Sequence, residues 1–336
     1  MFQSWTEFIS LENIYRAWKD FSVNKKNKFD TINFKMNLEE EILKIQFELI
    51  NNTYRHGSYT KFKVWDPKER VIHKAEVRDR LVHRILYNCL MSVFNRHWLD
   101  CSFSCRPNFG QHRSIEKVRK TLLKATSNYT RECFVVKCDI KKFFNHIDHE
   151  ILYKLICREV SDLRICRLIR ENISSFHSGE QAVGLPIGNL TSQIFANVYL
   201  HELDVFAKHE LKMRYYYRYA DDFIFLTADK IAARAFVEEF KFFLGYNLKL
   251  TLHPDKIIMR RADLGIDWLG KILLPEYVLL RATTKRRMIS KIKQKVGLCS
   301  EDEKMRALIG SYNGLLKGTA RKKADKQIAQ AIAFNR

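Results

Sequence analysis

At 336 residues, with 46% hydrophobic residues and only 5 prolines, the chain can bury a substantial core and is not a disordered segment. Its 59 Lys and Arg against 38 Asp and Glu leave a net charge of +21, which points to a polyanionic partner. No apolar run approaches a membrane span, MFQSWTEFISLEN has the wrong polarity for a secretory signal, and the 8 cysteines form no CxxC pair, so nucleic acid in the cytoplasm is expected rather than a membrane or a zinc site.

The first sixty residues read as helices, because SLENIYRAWKDF and NLEEEILKIQFELINN repeat apolar residues at three- and four-residue steps. Gly57 and the aromatic SYTKFKVWDP break that period and predict an extended segment. Helical spacing returns in RDRLVHRILYNCLMSVFNRHW and, after a loop at RPNFGQH, in SIEKVRKTLLKA. CFVVKCDI reads as a strand ending near Asp139, followed by a turn and the helix HEILYKLICREV. GLPIGNLTSQIFANVYLHELDVFAKHEL starts as a Gly/Pro loop and becomes a long amphipathic helix. Short strands flank Ala220–Asp222, IAARAFVEEFKFFLGYNL is a further helix, and LKLTLHP and IDWLGKILLP read as strands. From Arg281 onward the chain is helical, with 15 Lys and Arg against 4 Asp and Glu. That segment carries about half of the whole positive excess. No repeat or low-complexity linker divides the sequence, so a single interlocked unit is expected.

Two predicted strand ends carry acids: Asp139 after FVVKC, and Asp221 with Asp222 at a hairpin tip. If the strands are neighbours, three carboxylates converge, and such a cluster cannot stay ionised without a cation. Oxygen-only ligands select a hard ion, and Mg²⁺ characteristically takes one or two carboxylates plus substrate phosphates. Two such ions suit an in-line phosphoryl displacement. The alternative is structural: Asp139 capping the next helix and the Asp pair sitting in an ordinary exposed turn.

The tetrapeptide YADD at Tyr219–Asp222 resembles the signature of reverse transcriptases, and further blocks similar to that family follow its order. RVIHKAEVRDRLVHRIL and SFSCRPNFGQHRSIEKV resemble fingers blocks, and VVKCDIKKFFNHIDHEIL the first acidic palm motif. GLPIGNLTSQIFANVYL resembles the nucleotide-pocket block, LKLTLHPDKI the lysine motif, and IDWLGKIL the primer-grip hairpin. The resemblance implies an α+β right-hand polymerase whose palm is a ferredoxin-like antiparallel sheet. It implies a helical N-terminal region (1–60), fingers (61–137), palm (138–278, with part of 150–185 as an alternative contribution to the fingers) and a basic helical thumb (279–336).

The same resemblance implies roles. Asp139, Asp221 and the backbone carbonyl of Ile140 would hold two Mg²⁺ ions, with Mn²⁺ as the alternative, and Asp222 would complete the acidic cluster. Phe144 stands where an aromatic ring excludes a 2′-hydroxyl, while Phe143 is expected in the core. Arg70 would grip the triphosphate, with Lys68 or Lys63 as companions. Ile187, Gly188 and Gln193 would line the nucleotide site, and Lys256 would assist the departing pyrophosphate. Tyr219, Trp268, Leu269 and Gly270 would meet the template–primer, together with thumb residues Lys285, Arg286 and Arg287.

Ile187 occupies a position where many reverse transcriptases have Gln. This variant resembles diversity-generating retroelement enzymes, which copy a template RNA unfaithfully at adenines. An aliphatic side chain gives no hydrogen bond to orient a base, so discrimination should weaken. The rival expectation is an antiviral defence reverse transcriptase working with a noncoding RNA, and the non-enzymatic one is an RNA-binding scaffold. Expected partners are dNTPs, template RNA, the RNA–DNA duplex and a small accessory protein. GIDWLGKI mimics a phosphate loop, but Ile272 replaces the metal-binding hydroxyl. HIDH at His146–His149 reads as a helix start, not a metal site.

Overall fold

A computed structural model describes residues 4–65, 68–296 and 302–320, so residues 321–336 of the expected thumb lie outside the described residues. Ser4 and Ser10 open the first helices, α1 (Trp5–Phe8) and α2 (Leu11–Ser22), by accepting hydrogen bonds from the Glu7 and Asn13 amides. Ile14, Ala17, Trp18 and Phe21 form the buried stripe of α2. Next come α3 (Phe29–Met36) and α4 (Leu38–Ile50), the latter burying Ile42, Ile45 and Leu49. Strands β1 (Tyr59–Trp65) and β2 (Glu69–Ala75) form an antiparallel ribbon in which Val64 faces Arg70.

The helix α5 (Val77–Phe94) is buried on most sides, with Leu81, Val82, Ile85, Leu86 and Leu90 essentially inaccessible. Asp30 ties α3 to this region, accepting from Lys74 at 2.6 Å and from Arg80. Burial works against the Asp30 carboxylate, but these two cations prevail and hold it at about 2. Chain order continues with α6 (Gln111–Ala125), β3 (Phe134–Asp139), α7 (His149–Cys157), α8 (Leu163–Ser174) and α9 (Leu190–Val205). Then follow β4 (Tyr216–Tyr219), β5 (Asp222–Thr227), α10 (Lys230–Leu248), β6 (Ile258–Arg261), β7 (Ile266–Trp268), β8 (Lys271–Leu273) and β9 (Val278–Leu280). The helices α11 (Ala282–Val296) and α12 (Asp302–Leu316) close the described chain.

Strands β3 to β6 form one sheet of order β4-β5-β3-β6, connected β-α-β-β-α-β through α7–α9 and α10. That is the ferredoxin-like order expected of a palm. In it β3 pairs antiparallel with β6, Val135 opposite Arg260. LKLTLHP departs from expectation. Leu248 ends α10, Lys249 takes a positive φ of 50°, and only a lone bridge from Leu252 to Ile140 has strand character. The strand itself starts at Ile258, because the 3₁₀ turn Pro254–Lys256 intervenes.

Where one unit was expected, there are two compact units, each discontinuous in sequence. The first comprises residues 1–110, 138–223 and 235–257, and within it α5 packs against α2 and α9. The second comprises 111–137, 224–234 and 258–336. In it β7, β8 and β9 form a three-stranded sheet, and Met288 and Ile292 of α11 pack on Tyr312 and Leu316 of α12.

Cys89, Cys101, Cys133, Cys138 and Cys166 are buried free thiols, Cys157 is half-buried, and Cys105 is exposed. Cys299 lies outside the described residues. Burial pushes the Cys89 and Cys138 thiols up to about 12. No described helix is long and apolar enough to cross a membrane.

Candidate active site

The first unit assembles an acidic cluster from two segments, the end of β3 and the tip between β4 and β5. Val135, Val136 and Cys138 anchor β3 in the interior, which delivers Asp139 to the strand end. The Asp139 carbonyl accepts from the His253 amide at 2.8 Å, and its carboxylate accepts from Lys256 Nζ at 2.7 Å. In the facing hairpin, Tyr216, Tyr217 and Arg218 of β4 and Phe223 of β5 are buried, so the tip Ala220–Asp221 is set by a core on both sides. The Ile140 amide donates to the Asp221 carbonyl at 3.3 Å. One hydrogen bond therefore joins the end of β3 to the hairpin tip. The capping alternative for Asp139 does not hold, because α7 is capped by Asp148, which accepts from the Ile151 amide at 2.9 Å.

The electrostatics follow from this crowding. Burial first, then the neighbouring Asp222 and Asp139, push Asp221 up to about 6, and Lys256 only partly offsets them. Lys256 pairs with Asp139 and offsets the crowding at Asp221 only in part. An oxygen-only donor set of this kind fits a hard divalent cation. No three His, Cys, Asp or Glu among the described residues are drawn up to enclose an ion by themselves, so substrate oxygens or waters would have to complete its shell.

Phe143 is buried and packs toward Tyr199, whereas Phe144 is half-buried with its ring edge-on to Phe143 at 5.3 Å. The Phe144 carbonyl accepts from the Leu185 amide at 2.7 Å, which ties this turn to the GLPIGN loop. That loop is stitched to β2. The Ile187 carbonyl accepts from the His73 amide at 3.0 Å, and the Asn189 side chain donates to the His73 carbonyl and accepts from the Ala75 amide. Sequence reasoning did not single out Asn189; its place directly after Gly188 in the GLPIGN loop was the available signal.

Gly188 has φ +110°, and a Cβ there would lie 2.6 Å from Ile72 Cγ2. Gly188→Ala should therefore cost about 1–3 kcal/mol and depress nucleotide use, as thermal melts and primer extension would register. A variant with the parent's midpoint and rate would show that the loop is not held this way. Gly188 and Gln193 also line a cavity of ≈ 380 Å³ with Phe62, Ile72, Lys74 and Arg80.

The other expected site residues are placed as follows. Arg70 is exposed on β2 and makes no ion pair among the described residues, while Lys63 pairs with Glu69 at 2.6 Å. Tyr219 is half-buried beside the tip. In the second unit, Trp268 is wholly buried and its indole N–H donates to Ser114 Oγ at 2.9 Å. A ring enclosed in this way supports the hairpin. Leu269 and Gly270 form the turn at positive φ, and the Leu269 carbonyl accepts from Gln111. Lys285, Arg286 and Arg287 are successive positions on α11, spread over about 200° of its circumference. At HIDH, His149 Nε2 meets the Gly184 carbonyl at 2.7 Å, a core contact as expected of a helix start.

Comparison with known proteins agrees with this geometry. Residues 61–273 match the family described as reverse transcriptase (RNA-dependent DNA polymerase). Protein YkfC of Escherichia coli K12 is 24% identical over 276 residues, covering 69% of this chain and 72% of that protein. The group II intron-encoded protein LtrA of Lactococcus lactis is 28% identical over 185 residues, covering 53% of this chain but only 30% of that protein. Among solved structures, apo telomerase from Candida tropicalis superposes with TM-score 0.51 at 13% identity, over 83% of this chain and 62% of that one. Telomerase from Candida albicans gives 0.51 at 12%, over 85% and 61%. At such identities the likeness concerns the right-hand polymerase fold alone.

Proposed function

This chain belongs to the reverse transcriptase (RNA-dependent DNA polymerase) family, and from that premise we propose that it extends a DNA primer on a structured template RNA, using the Asp139–Asp221–Asp222 cluster. The observation that carries the reading is the hydrogen bond from Ile140 to Asp221, which brings the two acidic segments together while Asp221 is driven up toward 6 by its neighbours. Asp139, Asp221 and the Ile140 carbonyl would hold divalent cations, Mg²⁺ or Mn²⁺, which when bound supply Lewis-acid stabilisation of the reacting phosphoryl group. Asp222 adds negative potential beside them. Lys256, now on Asp139, is free to turn to a departing pyrophosphate once that carboxylate has another partner. Phe144 sits under the sugar and excludes a 2′-hydroxyl. Arg70, on the exposed ribbon, grips the triphosphate.

The test is primer extension on RNA with labelled dNTPs, and incorporation that survives Asp222→Asn would exclude the assignment. Partners in this reading are the template RNA, the RNA–DNA duplex, dNTPs and a small accessory protein, in the cytoplasm.

One further residue favours error-prone copying at template adenines, as in a diversity-generating retroelement, over a defence role. Ile187 lies in the loop tied to β2, half-buried, and its side chain has no hydrogen bond to offer a base. Ile187→Gln should lower misincorporation opposite adenine by about 10-fold, read by sequencing the cDNA. Error spectra that stay the same after the substitution, or that show no excess at adenine in the parent, would count against it. The two relatives named above are YkfC and a group II intron-encoded protein, so the mutagenic reading rests on this residue and not on them.

A further inference from the structure

Beneath the acidic tip lies a charge pair with no exposure at all: Arg218 of β4 and Asp204 of α9. They meet fork to fork, Nε donating to Asp204 Oδ1 at 2.7 Å and Nη2 to Oδ2 at 2.6 Å. The Tyr216 hydroxyl donates to the same carboxylate at 3.0 Å. The remaining guanidinium protons are also used. Nη2 donates to Ser102 Oγ at 2.9 Å, and Nη1 donates to Asn197 Oδ1 at 3.4 Å and to the Ala220 carbonyl at 3.1 Å. Asn197 is itself oriented by donating to the Ser104 carbonyl at 2.8 Å. A guanidinium has five N–H donors, and here five different acceptors receive them.

The bond to the Ala220 carbonyl is the one that reaches the catalytic turn. Ala220 holds φ +53°, a left-handed conformation that strains a non-glycine residue, so something must fix it. The next carbonyl along, that of Asp221, is held by the Ile140 amide. The two peptides that flank the turn are thus pinned from below by Arg218 and from the side by β3. A buried ion pair adds little net stability compared with packed apolar residues. What an apolar pair cannot do is donate to Ala220.

We propose that Arg218, buttressed by Asp204, is a positioning residue that sets the aim of Asp221 and Asp222 toward the reacting phosphate. The proposal rests on the polymerase reading given above. Arg218 touches no substrate; it acts through the Ala220 carbonyl on the carboxylates that follow.

Two variants test it. Arg218→Met combined with Asp204→Leu removes both charges without stranding either, and Arg218→Lys keeps the charge but loses the fork. Both are assayed as full-length protein on oligo(dT)-primed poly(rA) with dTTP, across a Mg²⁺ titration. The expected result is a kcat lowered about 10²-fold, a dTTP KM within a few-fold of the parent, and a Mg²⁺ requirement raised several-fold. Template–primer binding should stay at the parent's level. Adding Ala220→Gly, which takes φ +53° without strain, should recover part of the lost kcat in the Arg218→Lys background.

A purely structural role predicts otherwise: activity falling only with the folded fraction, an unmoved Mg²⁺ midpoint, and no recovery from Ala220→Gly. A parental kcat and Mg²⁺ midpoint in a folded variant overturns the proposal. If the double variant does not fold, Arg218→Lys with and without Ala220→Gly decides. Asp221→Asn runs alongside: if it stays active the polymerase reading falls, and if it is dead while the Arg218 variants are normal, only the positioning role falls.

Discussion

Replacing Asp221 by Asn removes RNA-templated incorporation by about 10³-fold and, in metal-free buffer, raises the thermal midpoint by a few degrees. The two effects have one cause. Burial and the charges of Asp222 and Asp139 push the Asp221 carboxyl from 3.8 up to about 6. Its ionised form therefore costs the empty fold free energy that is absent below about pH 3.8 and fully present above about pH 6. Asn carries no such charge. The stability gain should grow as pH rises through that window and level off beyond it. Added Mg²⁺ should stabilise the parent and not the variant, because the ion repays the repulsion only where the carboxylate can ligate it. A variant less stable than the parent in EDTA at pH 7.5 would mean that Asp221 is held by favourable partners and not by its fold against its neighbours.

Phe144→Val opens the enzyme to ribonucleotides. The expected outcome is a loss of about 10²-fold in the preference for dTTP over UTP, arising mostly from a better kcat/KM for UTP. The ring is half-buried, edge-on to Phe143, and its backbone is tethered to Leu185, so it has little freedom to yield to a 2′-hydroxyl. Phe143→Val, by contrast, hollows the core beside Tyr199 and should reduce stability without changing sugar choice. Single-nucleotide incorporation with each triphosphate separates the two. Unchanged discrimination in Phe144→Val would move the sugar gate elsewhere in the loop.

Much of this was legible in the residues. FVVKCD and the strands around YADD carry enough β-branched and aromatic residues to declare themselves, and the long helices show clean three- and four-residue spacing. The convergence of Asp139 with Asp221 could be expected because isolated carboxylates at apolar strand ends need a reason. LKLTLHP misled because its alternating leucines mimic a strand, while its backbone is spent ending α10 and making a single bridge. Nothing in a short hairpin says which way the Trp268 indole faces; Ser114, far away in sequence, decides it. Arg218 and Asp204 were invisible as a pair for the same reason. Each alone reads as a surface charge, and only the fold makes them partners.

The distribution of sulfur has a practical consequence. Most described thiols lie buried, where the loss of solvent disfavours the thiolate, but Cys105 is open, next in sequence to the serine whose carbonyl orients Asn197. It is near enough to bear electrostatically on the phenol of Tyr219. With Cys157 and Cys299 exchanged for serine, a maleimide fluorophore has one accessible anchor among the remaining described cysteines. The protein thus carries a native attachment point for an optical reporter beside the tyrosine that precedes the Ala220–Asp221 tip.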